Sequence, residues 1–185
     1  MPSLRGQLTS LRAMVREDLV LLHRWLNDPD VMQWWDGRDH PATFDRVEAR
    51  FRRTIEGSDR ESERYMIEVV KDGEPRTIGM VQHTRPNPRL RNTQIDILIG
   101  EREFREAGYG SDALRVLLKH LFEDVKVHRV WHTLRANNQR AQHAAEKLGF
   151  VKEGVLREHD QLEGQHVDVA VYGMLRGDFE RTLNR

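Results

Sequence analysis

Gln94-Ile95-Asp96-Ile97-Leu98-Ile99-Gly100 reads as a strand, with apolar side chains at 95, 97 and 99. Arg105-Glu106-Ala107-Gly108-Tyr109-Gly110 follows as a glycine-bearing loop, and the chain then turns helical from Ser111, with Leu114, Leu117, Leu118 and Leu121 as the buried stripe. Gly108 and Gly110 carry no Cβ, so backbone amides in the loop can face a ligand closely. The helix start adds unpaired N–H groups and the positive end of its dipole. Together these make a cradle for an anion such as a pyrophosphate. Taken alone, Gly-x-Gly before a helix also fits an ordinary strand–helix turn.

Upstream of this stretch, residues 11–15 alternate briefly and open a strand. Leu19, Leu22, Trp25 and Leu26 recur at helical spacing over Asp18–Asn27, and Asn27-Asp28-Pro29 stops that helix. A second helix spans Thr43–Ile55 on the face Phe44, Val47, Phe51 and Ile55. Tyr65–Val70 and Thr77–His83 form a hairpin through Lys71-Asp72-Gly73-Glu74. Downstream, His128–Leu134 is a strand, and Asn138–Leu148 is a helix capped at Asn137 or Asn138 and stopped by Gly149. Residues 151–161 and 166–175 form a hairpin around Glu163-Gly164, and a short helix closes the tail from Asp178. Mixed hairpin and crossover connections predict an α/β fold, a mixed central sheet with helices on both faces.

The chain has 185 residues and no internal repeat or low-complexity linker, so a single domain over 1–185 is expected. Lys plus Arg and Asp plus Glu number 30 each, which argues against a general nucleic-acid coat. The absence of Cys excludes disulfides, thiolate metal sites and a Cys nucleophile. His128 and His132 share a strand face but stand apart along it, and the nine His residues show no ligand spacing, so no metal site is expected. No apolar run approaches the roughly 20 residues of a membrane span, and the mean hydropathy is −0.72. No membrane association and a cytoplasmic location are the expectations.

Arg105-Glu106-Ala107-Gly108-Tyr109-Gly110 resembles the [Gln/Arg]-x-x-Gly-x-[Gly/Ala] signature of the GNAT acetyltransferases, placed after a strand and opening a helix as in that family. Asn138-x-x-Ala141 with Glu146-Lys147-Leu148-Gly149-Phe150 resembles its second signature, and Leu11-Arg12 with Asp18-Leu19 its opening. Trp25-Leu26-Asn27-Asp28-Pro29 with Trp34-Trp35 is similar to a subset with aminoglycoside and ribosomal-protein N-terminal acetyltransferases. The resemblance covers roughly residues 10–176 and implies transfer of an acetyl group from acetyl-CoA to a primary amine by direct attack. The final hairpin, Leu156 to Asp168, is more like the ribosomal-protein N-terminal and polyamine acetyltransferase branch.

The resemblance further implies that strands 94–100 and 128–134 run parallel and splay apart at the acetyl-CoA site. The pantetheine arm would pair with backbone at Ile97, Leu98 and Ile99, where a bulge frees backbone groups and a free N–H can bind the oxyanion. Amides of Glu106, Ala107, Gly108, Tyr109, Gly110 and Ser111 would hold the pyrophosphate, with Arg105 and Asn138 as further contacts. An acceptor amine with a pKa near 10.4 must lose a proton before it attacks. Asp96 interrupts an apolar strand and is the candidate base, and Gln94, on the same face by alternation, is a polar substrate contact. Trp34, Trp35 and Asp36 are candidate acceptor contacts, at least one ring lining the acceptor channel; a hydrophobic plug between helices is the alternative for the Trp pair. Tyr65 could reach the same pocket. Where relatives carry a Tyr or hydroxyl acid, this chain has Ala145 and Ala141, so no general acid is named. The acceptor is a protein N-terminus, a polyamine or a similar amine. An aminoglycoside-type small molecule and a non-catalytic acyl-CoA binding module are the alternatives. Relatives often dimerise, so a homodimer is expected as well.

Overall fold

The computed structural model describes residues 4–35, 41–162 and 164–183. The chain divides into two compact units, one of residues up to Arg85 with Asp96–Leu117, the other of Pro86–Ile95 with Leu118–Arg185.

The first unit opens with β1 (Leu4–Arg5) and β2 (Ser10–Ala13). Helices α1 (Leu19–Trp25), α2 (Pro29–Met32) and α3 (Phe44–Ile55) follow, then β3 (Ser62–Lys71), β4 (Glu74–Thr84), the part of β5 (Asn92–Ile99) from Asp96, and the part of α4 (Tyr109–Lys119) up to Leu117. The strands lie in the order β1-β2-β3-β4-β5. Leu19, Leu22 and Trp25 of α1, Val31 and Met32 of α2, and Val47 and Phe51 of α3 pack on Met66, Met80 and Leu98 of the sheet. Thr43 caps α3, its side chain accepting from the Arg46 amide. The stop at Asn27-Asp28-Pro29 is a restart as well: Asp28 accepts from the Asp30 amide at 2.9 Å and Pro29 opens α2. Proline suits the first helical position because its missing N–H would be unpaired there anyway.

Asp72 and Gly73, at φ 55° and 81°, make the tight turn expected between β3 and β4, and Lys71 pairs with Glu74. The pairing runs to Glu68↔Thr77 and resumes at Ile67↔Gly79, so Ile78 is one extra residue on β4. Beyond this bulge, Arg64 lies opposite Gln82, and Tyr65 opposite Val81.

Asp112, in the first turn of α4, ties the start of the chain to that helix. Its carboxylate accepts from the amides of Gln7, Leu8 and Thr9 at 3.2, 3.0 and 2.9 Å and from the Thr9 hydroxyl at 2.8 Å. Burial pushes this carboxyl up, but the Thr9 hydroxyl and the three amides more than offset it and leave its pKa below the ordinary value.

In the second unit, β6 (Arg129–Arg135), α5 (Gln139–Lys147), β7 (Val151–Leu162), β8 (Gln165–Leu175) and α6 (Arg176–Leu183) follow in turn. Asn92–Gln94 of β5 pair in parallel with Arg129–Trp131, and among the described residues that ladder ends at Gln94↔Trp131. β8 lies between β6 and β7, antiparallel to both. The outer strand β7 shifts register twice, between Lys152 and Gly154 and between Leu156 and Asp160. Phe122 stacks on Phe179 at 4.9 Å, and Val130, Ala170 and Met174 of β6 and β8 are buried. Several boundaries differ from the sequence reading. The helix expected from Ser111 begins at Tyr109 and gives way to a π-helical turn at His120–Asp124. His128 precedes β6 instead of lying in it. Of the two caps expected for α5, Asn138 serves, accepting from the Ala141 amide at 3.1 Å.

The lowered pKa of Asp112 gives a signed expectation. Its contribution to stability is fully present above its unfolded value near 3.8 and is lost as pH falls through the lower folded value. Asp112→Asn should cost roughly 1–3 kcal/mol at neutral pH, and its gap from wild type should close in acid. Urea unfolding across a pH series measures both.

Candidate functional site

The candidate cofactor site is built within the first unit, where β5 ends and α4 begins. Arg105 follows a short 3-10 turn at Arg102–Phe104 and has extended backbone. Glu106 (φ 66°) and Gly108 (φ 89°) both take the left-handed conformation. For Glu106 this is a strained choice, of the kind that collects where backbone is shaped for a ligand. The Gly108 carbonyl accepts from the Asp112 amide at 3.0 Å, the first bond of the helix. The N–H groups of Gly108, Tyr109, Gly110 and Ser111 therefore precede the intrahelical ladder, and the helix dipole makes that end positive.

The two glycines serve different ends. Gly108 is required by its backbone angle, which a side chain adopts only under strain. At Gly110 a Cβ would lie 3.6 Å from both Ile97 Cδ1 and Ile99 Cγ1, an ordinary contact. The fold thus tolerates a side chain at 110, and the bare position leaves the helix start open opposite Ile97 and Ile99. Both isoleucines are half-buried, whereas Leu98 points the other way into the cluster with α1 and α3. The stripe expected at 95, 97 and 99 is therefore fully buried only at Ile95.

The Arg105 side chain is turned inward. Its Nε donates to the Ile99 carbonyl at 3.1 Å, and its Nη2 to the Gly100 carbonyl at 2.9 Å and to Asp28 at 3.4 Å. It braces the strand end, which leaves its loop's amides, more than its own charge, to face an anion. Tyr109 packs edge-on against Phe104 at 5.3 Å.

Asp96 is half-buried on the opposite face of β5 from Ile97, where Gln82 Nε2 donates to its Oδ2 at 3.0 Å. Gln82 escaped the sequence reading. Gln94, two residues earlier on β5, is half-buried too. Tyr65 pairs with Val81, one place out of step with the Arg64–Gln82 pair, so it faces away from Asp96. Its hydroxyl donates to Glu63 at 2.9 Å, and burial, then the Glu63 charge, push its pKa up. It does not share a pocket with Asp96. Trp35 packs against the α1–α3 cluster, whereas Trp34 is 43% exposed. Asp36 lies outside the described residues.

In the second unit, the Oδ1 of Asn138 is engaged in capping α5. Ala145 is buried. Tyr172 is buried and donates to Glu146 at 3.0 Å; burial, then this bond, pushes its pKa up to about 12. His132 packs on Phe150 and Tyr172, and burial lowers its pKa to about 4. Among the described residues, no group of three His, Asp or Glu could hold a metal.

A mixed sheet with a helix start opening toward the end of a central strand is the architecture of the N-acetyltransferases. The chain belongs to the GNAT acetyltransferases: the family's acetyltransferase-domain model matches residues 9–151. It is 29% identical over 182 residues to the spermidine N(1)-acetyltransferase of Vibrio cholerae, covering 98% of this chain and 99% of that one. It is 28% identical over 186 residues to the aminoglycoside N(6')-acetyltransferase type 1 of Klebsiella pneumoniae, covering 94% and 86%. Among solved structures, the V. cholerae spermidine N-acetyltransferase in complex with CoA and spermine has the same fold, with a TM-score of 0.84 at 24% identity over 95% of this chain and 99% of that one.

The contrast between the glycines can be measured. Gly110→Val should weaken acetyl-CoA binding at least tenfold by calorimetry with the thermal midpoint little changed. Gly108→Ala should destabilise the protein by about 1 kcal/mol.

Proposed function

We propose that this N-acetyltransferase moves the acetyl group of acetyl-CoA to a primary amine of a polyamine-class small molecule, with Asp96 as the proton acceptor. The observation that carries the reading is the open helix start at Gly108–Ser111 opposite Ile97 and Ile99, with Asp96 held by Gln82 on the other face of the same strand. The acceptor class rests on the likeness to spermidine acetyltransferases along nearly the whole chain. Residues 1–185 act as one catalytic domain in this reading, because unit boundaries run through β5 and α4 instead of a linker.

The diphosphate of acetyl-CoA lies on the amides of residues 106–111, and the acyl arm runs along Ile97, Leu98 and Ile99. The amine attacks the thioester carbonyl directly, and a backbone N–H of that stretch holds the oxyanion. Asp96 takes the amine's proton, directly or through water. Tyr172, kept protonated by burial and Glu146, is committed to the core. With Ala141 and Ala145 bearing no hydroxyl, coenzyme A leaves as a thiolate, which its thiol pKa near 8.5 permits. Trp34 offers an exposed ring to a cationic acceptor, with Asp36 as a polar contact. Among the described residues no helix is long and apolar enough to cross a membrane. Cytoplasmic action and a homodimer complete the proposal.

A thiol-release screen with polyamines, aminoglycosides and peptides of varied N-terminus tests the acceptor. Polyamines should turn over best; turnover confined to aminoglycosides or peptides overturns the class, and binding without thiol release overturns catalysis. Asp96→Asn should slow turnover at least tenfold near pH 7, and the deficit should shrink as pH rises and the amine deprotonates unaided. A mutant-to-wild-type rate ratio flat across pH removes Asp96 from the mechanism. Trp34→Ala should raise the acceptor KM several-fold with acetyl-CoA affinity unchanged; unchanged acceptor kinetics remove this ring from the site.

A further inference from the structure

A row of polar side chains continues the sheet face that carries Met66, Met80 and Leu98. Asp59 Oδ2 accepts from Arg64 Nη1 at 2.5 Å, Arg64 Nε donates to Gln82 Oε1 at 3.0 Å, and Gln82 Nε2 donates to Asp96 Oδ2 at 3.0 Å. We infer that Arg64 and Gln82 are positioning residues for Asp96, fixing its rotamer and favouring its ionised form. This rests on the reading of Asp96 as the base.

The direction of each bond follows from donor chemistry. A guanidinium only donates, so the Gln82 carboxamide must turn its oxygen to Arg64, and its NH₂ is left for Asp96. Arg64 is itself held firmly. Its Nη1 also donates to Thr54 Oγ1 at 2.8 Å, its guanidinium lies 5.7 Å from the Phe51 ring centroid, and Thr54 donates to Asp59 at 3.2 Å. Arg64 and Asp59 side chains are only 14% and 12% exposed, so neither swings freely into solvent. Burial works against ionisation of Asp59, but the amides of Glu61 and Ser62 and the Arg64 guanidinium hold its pKa near 2. Asp59 is therefore a permanent anion that keeps Arg64 in place.

A flipped Gln82 would set its oxygen against the Asp96 carboxylate and its NH₂ against a cation, losing both bonds. The amide is thus locked in the sense that presents a donor to Asp96. Donation to a carboxylate favours the charged form, and the charge of Arg64 behind it adds to this. The gain is a fixed carboxylate oriented by the Gln82 donor; the same bond stabilises its charge and so trades some basicity for position.

The test uses Gln82→Glu, which keeps size and shape but replaces the donor by an acceptor, with Gln82→Leu as a second variant and Asp96→Asn in parallel. The readout is the pH profile of kcat at saturating acetyl-CoA and acceptor, with acetyl-CoA affinity by calorimetry as control. In Gln82→Leu the acid limb should move up by about one pH unit. In Gln82→Glu it should move further, because two carboxylates then adjoin. Acetyl-CoA affinity should hold in both, and Arg64→Lys should show a smaller shift in the same direction. If Asp96→Asn moves the acid limb up toward the amine's own pKa while both Gln82 variants leave it in place, the positioning role is overturned and the base reading survives. If Asp96→Asn leaves the limb unchanged, the base reading fails and this inference with it.

Discussion

One extra residue, Ile78, decides which side chains of β3 and β4 meet. Carried straight from the Asp72-Gly73 turn, the ladder would set Gln82 opposite Glu63. The bulge advances β4 by one place and sets it opposite Arg64. Side chains alternate across a sheet, so a slip of one place exchanges the faces of every residue beyond it. Met80 consequently joins Met66 over the helices, and Tyr65 joins Val81 on the far side. The carbonyl of Ile78 accepts from the amides of Gly100 and Glu101, so the bulge also holds the end of β5.

The start of α4 depends on the same economy of polar groups. Asp112 sits where a helix favours negative charge, but its carboxylate is directed at the chain's first residues, with four donors from Gln7, Leu8 and Thr9. Those contacts anchor the helix without occupying the amides at its mouth. Arg105 acts likewise from the other side, holding the carbonyls of Ile99 and Gly100. Both ends of the loop are fixed by side chains that leave its backbone available.

The parts of this arrangement that depend on local chemistry were legible in the sequence. The Asp72-Gly73 turn, the helix start near Thr43, the cap at Asn137 or Asn138 and the Arg105–Gly110 loop before a helix each follow from residues within a few places of one another. What escaped depends on contacts far apart in the chain. Gln82 drew no reading because nothing local announces a bulge at Ile78. The face that Tyr65 takes, with Val81, is set by the same bulge. Pro29 read as a stop because Asn27-Asp28-Pro29 contains both an ending and, through the Asp28 cap, a beginning. The two tryptophans are adjacent and chemically alike, yet Trp35 meets the α1–α3 cluster and Trp34 meets solvent, a division that only packing makes.

The outermost strand of the second unit has a bearing on how copies of this protein meet. β7 is exposed along most of its length, and it carries Val151, Val155 and Leu156 outward among Lys152, Glu153, Arg157 and Glu158. Such an edge invites another chain to extend the sheet. Here the register breaks at Lys152/Gly154 and Leu156/Asp160 interrupt the straight run that an incoming strand needs, and the Glu158 backbone turns left-handed at φ 52°. Charges spaced along the strand add a desolvation cost to any unmatched neighbour. The edge is thereby a poor template for a strand added from another chain.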